Sequence, residues 1–143
     1  MTRIDFHFNA PDKLHYGCRL LRKIHRGKGR AVVWCEDAAE LARFDELLWT
    51  FSDQDFIPHV SVDDPLAAET PFVLVAEDRI ECPHHDVLVN LGRQRPPPFS
   101  RFERLVEIVS ADPDDRQLAR ERWRFYKDRG YPLNTYDVTA RPS

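Results

Sequence analysis

The sequence predicts an α/β fold: a single-domain three-layer sandwich with a mostly parallel central sheet and helices on both faces. Three observations predict it. Strand-like and helix-like segments alternate from the N-terminus onward. RAVVWC, residues 30–35, is a short, nearly continuous apolar run, as expected for a central strand of a parallel sheet. The length of 143 residues suffices for one domain with a single real core, and no internal repeat or second boundary is visible. Residues 1–138 therefore read as one domain and residues 139–143 as a frayed tail.

The elements follow in order. Residues 2–8 alternate Ile4, Phe6 and Phe8 with Arg3, Asp5 and His7, which predicts a half-buried strand. Asn9 to Asp12 is a turn that opens a helix through Arg26, with an apolar stripe of Leu14, Cys18, Leu21 and Ile24 or His25. Gly27-Lys28-Gly29 breaks it. After the strand at 30–35, Glu36 and Asp37 begin a helix to about Trp49, with Leu41, Phe44 and Leu48 inward. Residues 50–71 are irregular. Phe72 to Ala76 and Asp86 to Leu91 are strands, joined by a polar connection from Glu77 to His85. Arg95 to Phe99, with three consecutive prolines, is a rigid extended piece. Phe102 to Val109 starts with a possible helical turn and contains a strand, LVEIV. Leu133 to Val138 is a short edge strand.

The last helix, Asp112 to Gly130, is the best marked. Asp112 caps it, Pro113 fits its first position, and Asp114 and Asp115 suit the positive end of its dipole. Gly130 and Pro132 mark its stop. Leu118, Ala119, Arg122, Phe125 and Tyr126 share one side and read as core, with Arg122 snorkelling or paired. Arg116, Arg120, Trp123, Arg124 and Lys127 fall within an arc of roughly 100° on the other side. Only Asp112 to Arg116 and Glu121 to Arg124 have a spacing that helps pairing. Four cations around a Trp fit either a solvated surface or a binding face.

Composition excludes several classes. Apolar content of 42% and charged content of 31% are ordinary for a soluble globular protein. No apolar run is long enough for a membrane span. The opening MTRIDFHFNAPD has no basic-then-apolar leader, so no secretory signal is expected and the location is cytoplasmic. Three widely spaced Cys argue against a disulfide framework and for a reducing compartment. A net charge of −3 argues against broad electrostatic DNA binding, so cationic work must be local.

Catalytic and metal motifs are weak. RGKGR, residues 26–30, follows a helix and precedes a strand, the reverse of a phosphate loop, and reads as a helix-ending turn. No GxGxxG or GxSxG is present. Cys82, His84 and His85 lack a second ligand cluster, so no metal is expected. Cys35 lies beside Glu36 and Asp37, which raise a thiol pKa, and reads as structural. Trp49, Phe51, Phe56 and Pro58 surround the irregular segment and either cap the sheet or form an exposed apolar patch, the reading favoured for Trp49, Phe56 and Pro58 as a partner surface.

Three blocks then resemble a known family. They are CEDAAELARFDELLWTFSDQDFIPH (35–59), VLVNLGRQRPPPFSRFERLVEIV (87–109) and QLARERWRFYKDRGYPLNT (117–135). They are similar to the chi subunit of bacterial DNA polymerase III, a clamp-loader accessory protein. Residues 60–84 add nothing to the match. The resemblance implies one α/β domain like nucleotide-binding folds but without a phosphate loop, and no enzyme activity or cofactor. It implies binding of the acidic C-terminal tail of single-stranded DNA-binding protein, which ends in an aromatic residue carrying the chain carboxylate. The matching positions are Arg116, Arg120, Trp123, Arg124, Lys127, Leu133 and Asn134, with Val109 at the pocket floor. A second surface, Trp49, Phe56 and Pro58, matches the site for psi, which in some bacteria joins chi to the clamp loader; the expected partner is psi or another clamp-loader subunit. DNA is then met only indirectly. The rival classes are a nucleotide-binding or hydrolytic enzyme on the same fold, or a direct single-stranded DNA-binding module.

Overall fold

Each helix starts a few residues after a strand, and an aspartate opens each one. Asp12 accepts the His15 amide at 3.1 Å, Asp37 the Ala39 amide at 2.9 Å and Asp112 the Asp115 amide at 3.2 Å. Each satisfies a backbone N–H that the first helical turn leaves unpaired, contributing about 1 kcal/mol. The structure is a computed structural model that describes residues 1–51, 56–76, 82–97 and 99–139. Parts of three expected segments lie outside the described residues: 52–55 of the irregular stretch, 77–81 of the polar connection and Pro98 of the proline run. So do residues 140–143 of the expected frayed tail.

In chain order the elements are β1 (Arg3–Ala10), α1 (Lys13–Arg26), β2 (Ala31–Trp34), α2 (Ala38–Thr50), β3 (His59–Ser61), β4 (Phe72–Val75), β5 (Val87–Asn90), β6 (Arg104–Ser110), α3 (Pro113–Asp128) and β7 (Leu133–Asp137). Short 3₁₀ turns lie at Ala67–Glu69 and Phe99–Arg101. The strands form one sheet in the order β3-β4-β2-β5-β6-β1-β7, and every pairing is parallel. Among the described residues, no helix is long and apolar enough to cross a membrane.

Strand alternation divides the core in two. Val33, Leu74, Val89, Val106 and Ile108 pack against α1 and α2 on one face. Ile4, Phe6, Val32, Leu88, Leu105 and Val109 form the other face's core with Ala119 and Tyr126 of α3 and with Phe99 and Phe102. Gly17 in mid-α1 costs about 1 kcal/mol in helix propensity relative to Ala. A Cβ there would lie 2.9 Å from the Phe44 ring, so the glycine lets α1 and α2 approach closely.

Two expectations are corrected. β1 is not half-buried: Asp5 and His7 are buried too. The strand lies inside the sheet between β6 and β7, with helices over both faces. Its polar side chains are satisfied internally. Asp5 accepts from Arg104 Nε at 2.7 Å and Asn134 Nδ2 at 3.0 Å, while His7 Nδ1 and the Tyr16 hydroxyl are 2.6 Å apart. The stretch 50–71 is also not wholly irregular, because β3 forms the edge beside β4.

The connections from β1 and from the neighbouring β6 leave on opposite faces, through α1 and α3. In an open parallel sheet this divergence makes a crevice where ligands commonly bind. Here an ion pair fills it. Lys13 Nζ lies 3.1 Å from Asp115 and 3.1 Å from the Gly92 carbonyl. Asp115 also accepts the Ser110 amide and hydroxyl at 2.8 and 2.9 Å. Burial pushes the Asp115 carboxyl up, but Lys13 and the Ser110 hydrogen bonds outweigh it and hold the carboxyl below its usual range.

Candidate functional site

The position of α3 is set by a buried polar network. Glu107, in the middle of β6, is fully buried beneath the helix. Its carboxylate accepts Arg122 Nε at 3.1 Å, the Tyr126 hydroxyl at 2.7 Å and Asn90 Nδ2 at 2.8 Å. Arg122 also donates to the Arg93 carbonyl at 2.5 Å. Burial lowers the Arg122 pKa, but Glu107 outweighs it and keeps the guanidinium charged. Burial, followed by Glu107, pushes the Tyr126 hydroxyl far above the usual phenol range, so it remains a donor. Arg122 is therefore paired rather than snorkelling.

With Arg122 and Tyr126 fixed inward, helical periodicity sends Arg116, Arg120 and Arg124 into solvent. Trp123 is half-buried, with Lys127 Nζ 4.8 Å from its ring centroid. Among the described residues, no carboxylate lies within ion-pair distance of Arg116, Arg120, Arg124 or Lys127. The Asp112–Arg116 spacing yields no pair, because Asp112 instead meets Arg93 at 3.1 Å.

A pocket of about 240 Å³ opens between this face and the sheet. Phe6 and Phe8 of β1, Val109 of β6, Thr135 of β7 and Arg116, Ala119, Arg120 and Trp123 of α3 line it. The lining is almost wholly apolar, and the exposed residues Arg116 and Arg120 contribute to it.

Four of the residues singled out in the sequence meet in this pocket: Val109 in the floor, and Arg116, Arg120 and Trp123 on the helix side. Lys127 adjoins Trp123. Leu133 is half-buried and packs in the same apolar layer. Arg124 is exposed on the same helical face but does not line the pocket. Asn134 points away: its amide bonds Asp5, whose side chain lies on the α1 face of the sheet. Sequence reasoning missed Phe6, Phe8, Ala119 and Thr135. The alternation at residues 2–8 does place Phe6 and Phe8 on one face, but it does not say which helix covers that face.

The second surface lies at the end of α2. Trp49 is 56% and Phe56 63% exposed, with ring centroids 5.6 Å apart. Pro58 is half-buried beside them in sequence. Leu41, Phe44 and Leu48 face the core, so Trp49, one residue further round the helix, faces outward. The Trp49 ring rests on buried His59 at 4.7 Å. His59 Nδ1 lies 2.7 Å from the Ile57 carbonyl and Nε2 lies 2.8 Å from Asp45, which fixes the ring as a platform.

The other candidates are structural. RGKGR ends α1, with the Gly29 amide donating to the Ile24 carbonyl at 2.9 Å and Lys28 at φ 60°. His84 Nε2 lies 2.6 Å from the Thr70 carbonyl, and Cys82 is buried. Among the described residues, no group of three His, Cys, Asp or Glu is placed to hold a metal. Burial is the main cause that pushes the Cys35 thiol up to about 11 and Cys18 to about 12, so neither is an activated nucleophile.

Comparison with known proteins gives the family. The chain is 36% identical over 142 residues to the DNA polymerase III subunit chi of Pseudomonas aeruginosa, covering 95% of this chain and 96% of the relative. It is 27% identical over 118 residues to that of Escherichia coli (strain K12), covering 82% and 80% of the two chains. It is 26% identical over 121 residues to that of Haemophilus influenzae, covering 85% and 84%. The family model described as "DNA polymerase III chi subunit, HolC" matches residues 1–134, and the chain belongs to that family.

Proposed function

We propose that this chi-family chain is a non-catalytic, cytoplasmic accessory subunit that binds the acidic C-terminal tail of single-stranded DNA-binding protein. It links that protein to the clamp loader through the surface of Trp49, Phe56 and Pro58, which meets psi where psi is present or another clamp-loader subunit. The observation that carries the first half is the α3 pocket, whose apolar lining is joined by Arg116 and Arg120, neither of which meets a carboxylate among the described residues. A terminal aromatic ring suits the floor of Phe6, Phe8 and Val109. Its carboxylate suits Arg116 and Arg120, because guanidinium donors can meet both oxygens. Upstream acids suit Arg124 and Lys127.

Two features disfavour a nucleotide-binding reading. The Lys13–Asp115 pair fills the crevice at the divergence of α1 and α3. The exposed amides of Arg93 and Gln94 already donate to Glu36 at 2.6 and 2.7 Å. A direct single-stranded DNA module gains no specific support, since the half-buried Trp123 is part of the pocket wall. Calorimetry with an acidic peptide ending in phenylalanine tests the proposal. The free acid binds and the C-terminal amide binds at least tenfold more weakly. Equal binding of the two forms would show that no carboxylate is read in this pocket.

A further inference from the structure

The sheet ends in two unlike edges. β3 has three residues and is followed by Asp63, Asp64 and Pro65, a short and guarded edge. β7 has five residues, LNTYD, with no Lys or Pro and one charge at its far end. All but Leu133 of these are exposed. The Ile4 amide donates to the Pro132 carbonyl at 3.0 Å and the Val138 amide to the Phe8 carbonyl at 2.9 Å. Even-numbered residues of this strand thus face β1. The alternation of a parallel ladder then turns the N–H and C=O groups of Leu133, Thr135 and Asp137 outward. Among the described residues no strand pairs with them.

We infer that the free edge of β7 takes an extended segment of a partner peptide as an eighth, parallel strand, leading that peptide's C-terminal residue into the pocket beside α3. The inference rests on the proposed tail-binding reading and adds how the peptide backbone is held. Thr135 joins the two surfaces, since its side chain lines the pocket while its backbone lies on the open edge.

Charge sets the direction. Because α3 runs back along the sheet, Arg116 and Arg120 lie toward the C-terminal ends of the strands and Lys127 toward the start of β7. Asp137 stands at the opposite end, where the Thr139 hydroxyl and amide hold its carboxyl below the usual range. The segment's upstream acids are attracted to the Lys127 end and repelled from the Asp137 end, while Arg116 and Arg120 draw the terminal carboxylate, so the segment runs in the same direction as β7. Arg120 to Lys127 is about 10 Å along the helix, at roughly 1.5 Å per residue. That matches about three residues of extended chain at roughly 3.3 Å each.

Amide hydrogen exchange followed by NMR, with and without an acidic peptide of about eight residues ending in phenylalanine with a free carboxylate, tests the inference. Saturation slows exchange at Leu133, Thr135 and Asp137 at least tenfold and leaves Asn134, Tyr136 and Val138, already bonded to β1, unchanged. In peptides methylated at single backbone nitrogens, alternate positions lose affinity tenfold or more. Thr135→Pro, which removes an outward N–H, weakens binding at least tenfold more than Thr135→Val, which alters the same pocket-lining side chain but keeps the N–H. The methylated peptides give the answer even if Thr135→Pro fails to fold. A peptide that shifts Trp123 resonances without protecting the outward amides, and tolerates every methylation, overturns the strand and leaves the pocket reading standing. A peptide that does not bind overturns both. Protection of the same amides without peptide, in a concentration-dependent dimer, would give the edge to a second copy of the chain and overturn the inference.

Discussion

Tyr126 donates its hydroxyl hydrogen to Glu107 Oε2 across 2.7 Å, and neither residue reaches solvent. With Arg122 on the other carboxylate oxygen, this contact sets the rotation of α3 over the sheet. It thereby decides which face of the helix meets the pocket.

Tyr126→Phe leaves one buried carboxylate oxygen without its donor and costs about 1–3 kcal/mol of stability. Glu107→Gln strips the buried Arg122 guanidinium of its counter-charge and costs more, about 3–5 kcal/mol. Urea unfolding of both variants checks the order, read from midpoints at constant slope. Equal midpoints for wild type and Glu107→Gln would mean that the network does not hold the helix.

Asp115 gives a pH dependence of known sign. Its folded carboxyl pKa is depressed, the net result of burial opposed by Lys13 and Ser110. Its stabilisation is therefore complete above the unfolded value of about 3.9 and is lost as pH falls through the folded value. Asp115→Asn should be less stable than wild type at neutral pH, with the gap closing below about pH 4. Melting curves of the two proteins from neutral to acid pH measure that gap. A gap independent of pH would place the effect in packing rather than charge.

The regular elements were legible because they rest on local rules. Asp12, Asp37 and Asp112 mark helix starts, Gly130 at φ 79° marks a stop, and the periods separate strands from helices. What was not legible depends on distant pairing. Alternation shows that Asp5 and His7 are polar, but not that β1 is covered on both faces. Glu107 reads as one acid in an apolar run until α3 brings Arg122 and Tyr126 to it. Phe6 and Phe8 reach the pocket only because β1 pairs between β6 and β7, about a hundred residues away in sequence or more. Asn134 is close to the site along the chain, yet strand alternation aims it at Asp5 instead.

Trp49→Ala and Phe56→Ala should change stability little, by about 0.5 kcal/mol or less each, because both side chains are more than half exposed. They should abolish recovery of a clamp-loader subunit with the protein from its own cells. The patch lies at the end of α2, on the sheet face opposite α3, so tail-peptide affinity should remain within twofold. Thermal melts, co-purification and calorimetry separate these effects. Unchanged co-purification in the double variant would remove the patch from the partner surface.

The tail site makes the sharpest demand, because its residues should behave differently from neighbours that only adjoin it. Arg120 lines the pocket at the rim, where it can meet a carboxylate partly shielded from water. Arg120→Ala should cost about 1.5–3 kcal/mol of peptide binding, about tenfold or more in affinity. Trp123→Ala should also weaken binding, by removing the apolar wall. Arg124 is exposed and outside the lining, so Arg124→Ala should cost only about 0–1 kcal/mol, an amount that salt erodes. Asn134→Ala should leave affinity within twofold and lower stability, because its amide bonds Asp5 on the far side of the sheet. Calorimetry of the four variants at low and high salt reads all of this in one series. If Asn134→Ala loses as much affinity as Arg120→Ala while keeping its melting temperature, the peptide does not sit in the pocket beneath Arg116 and Arg120.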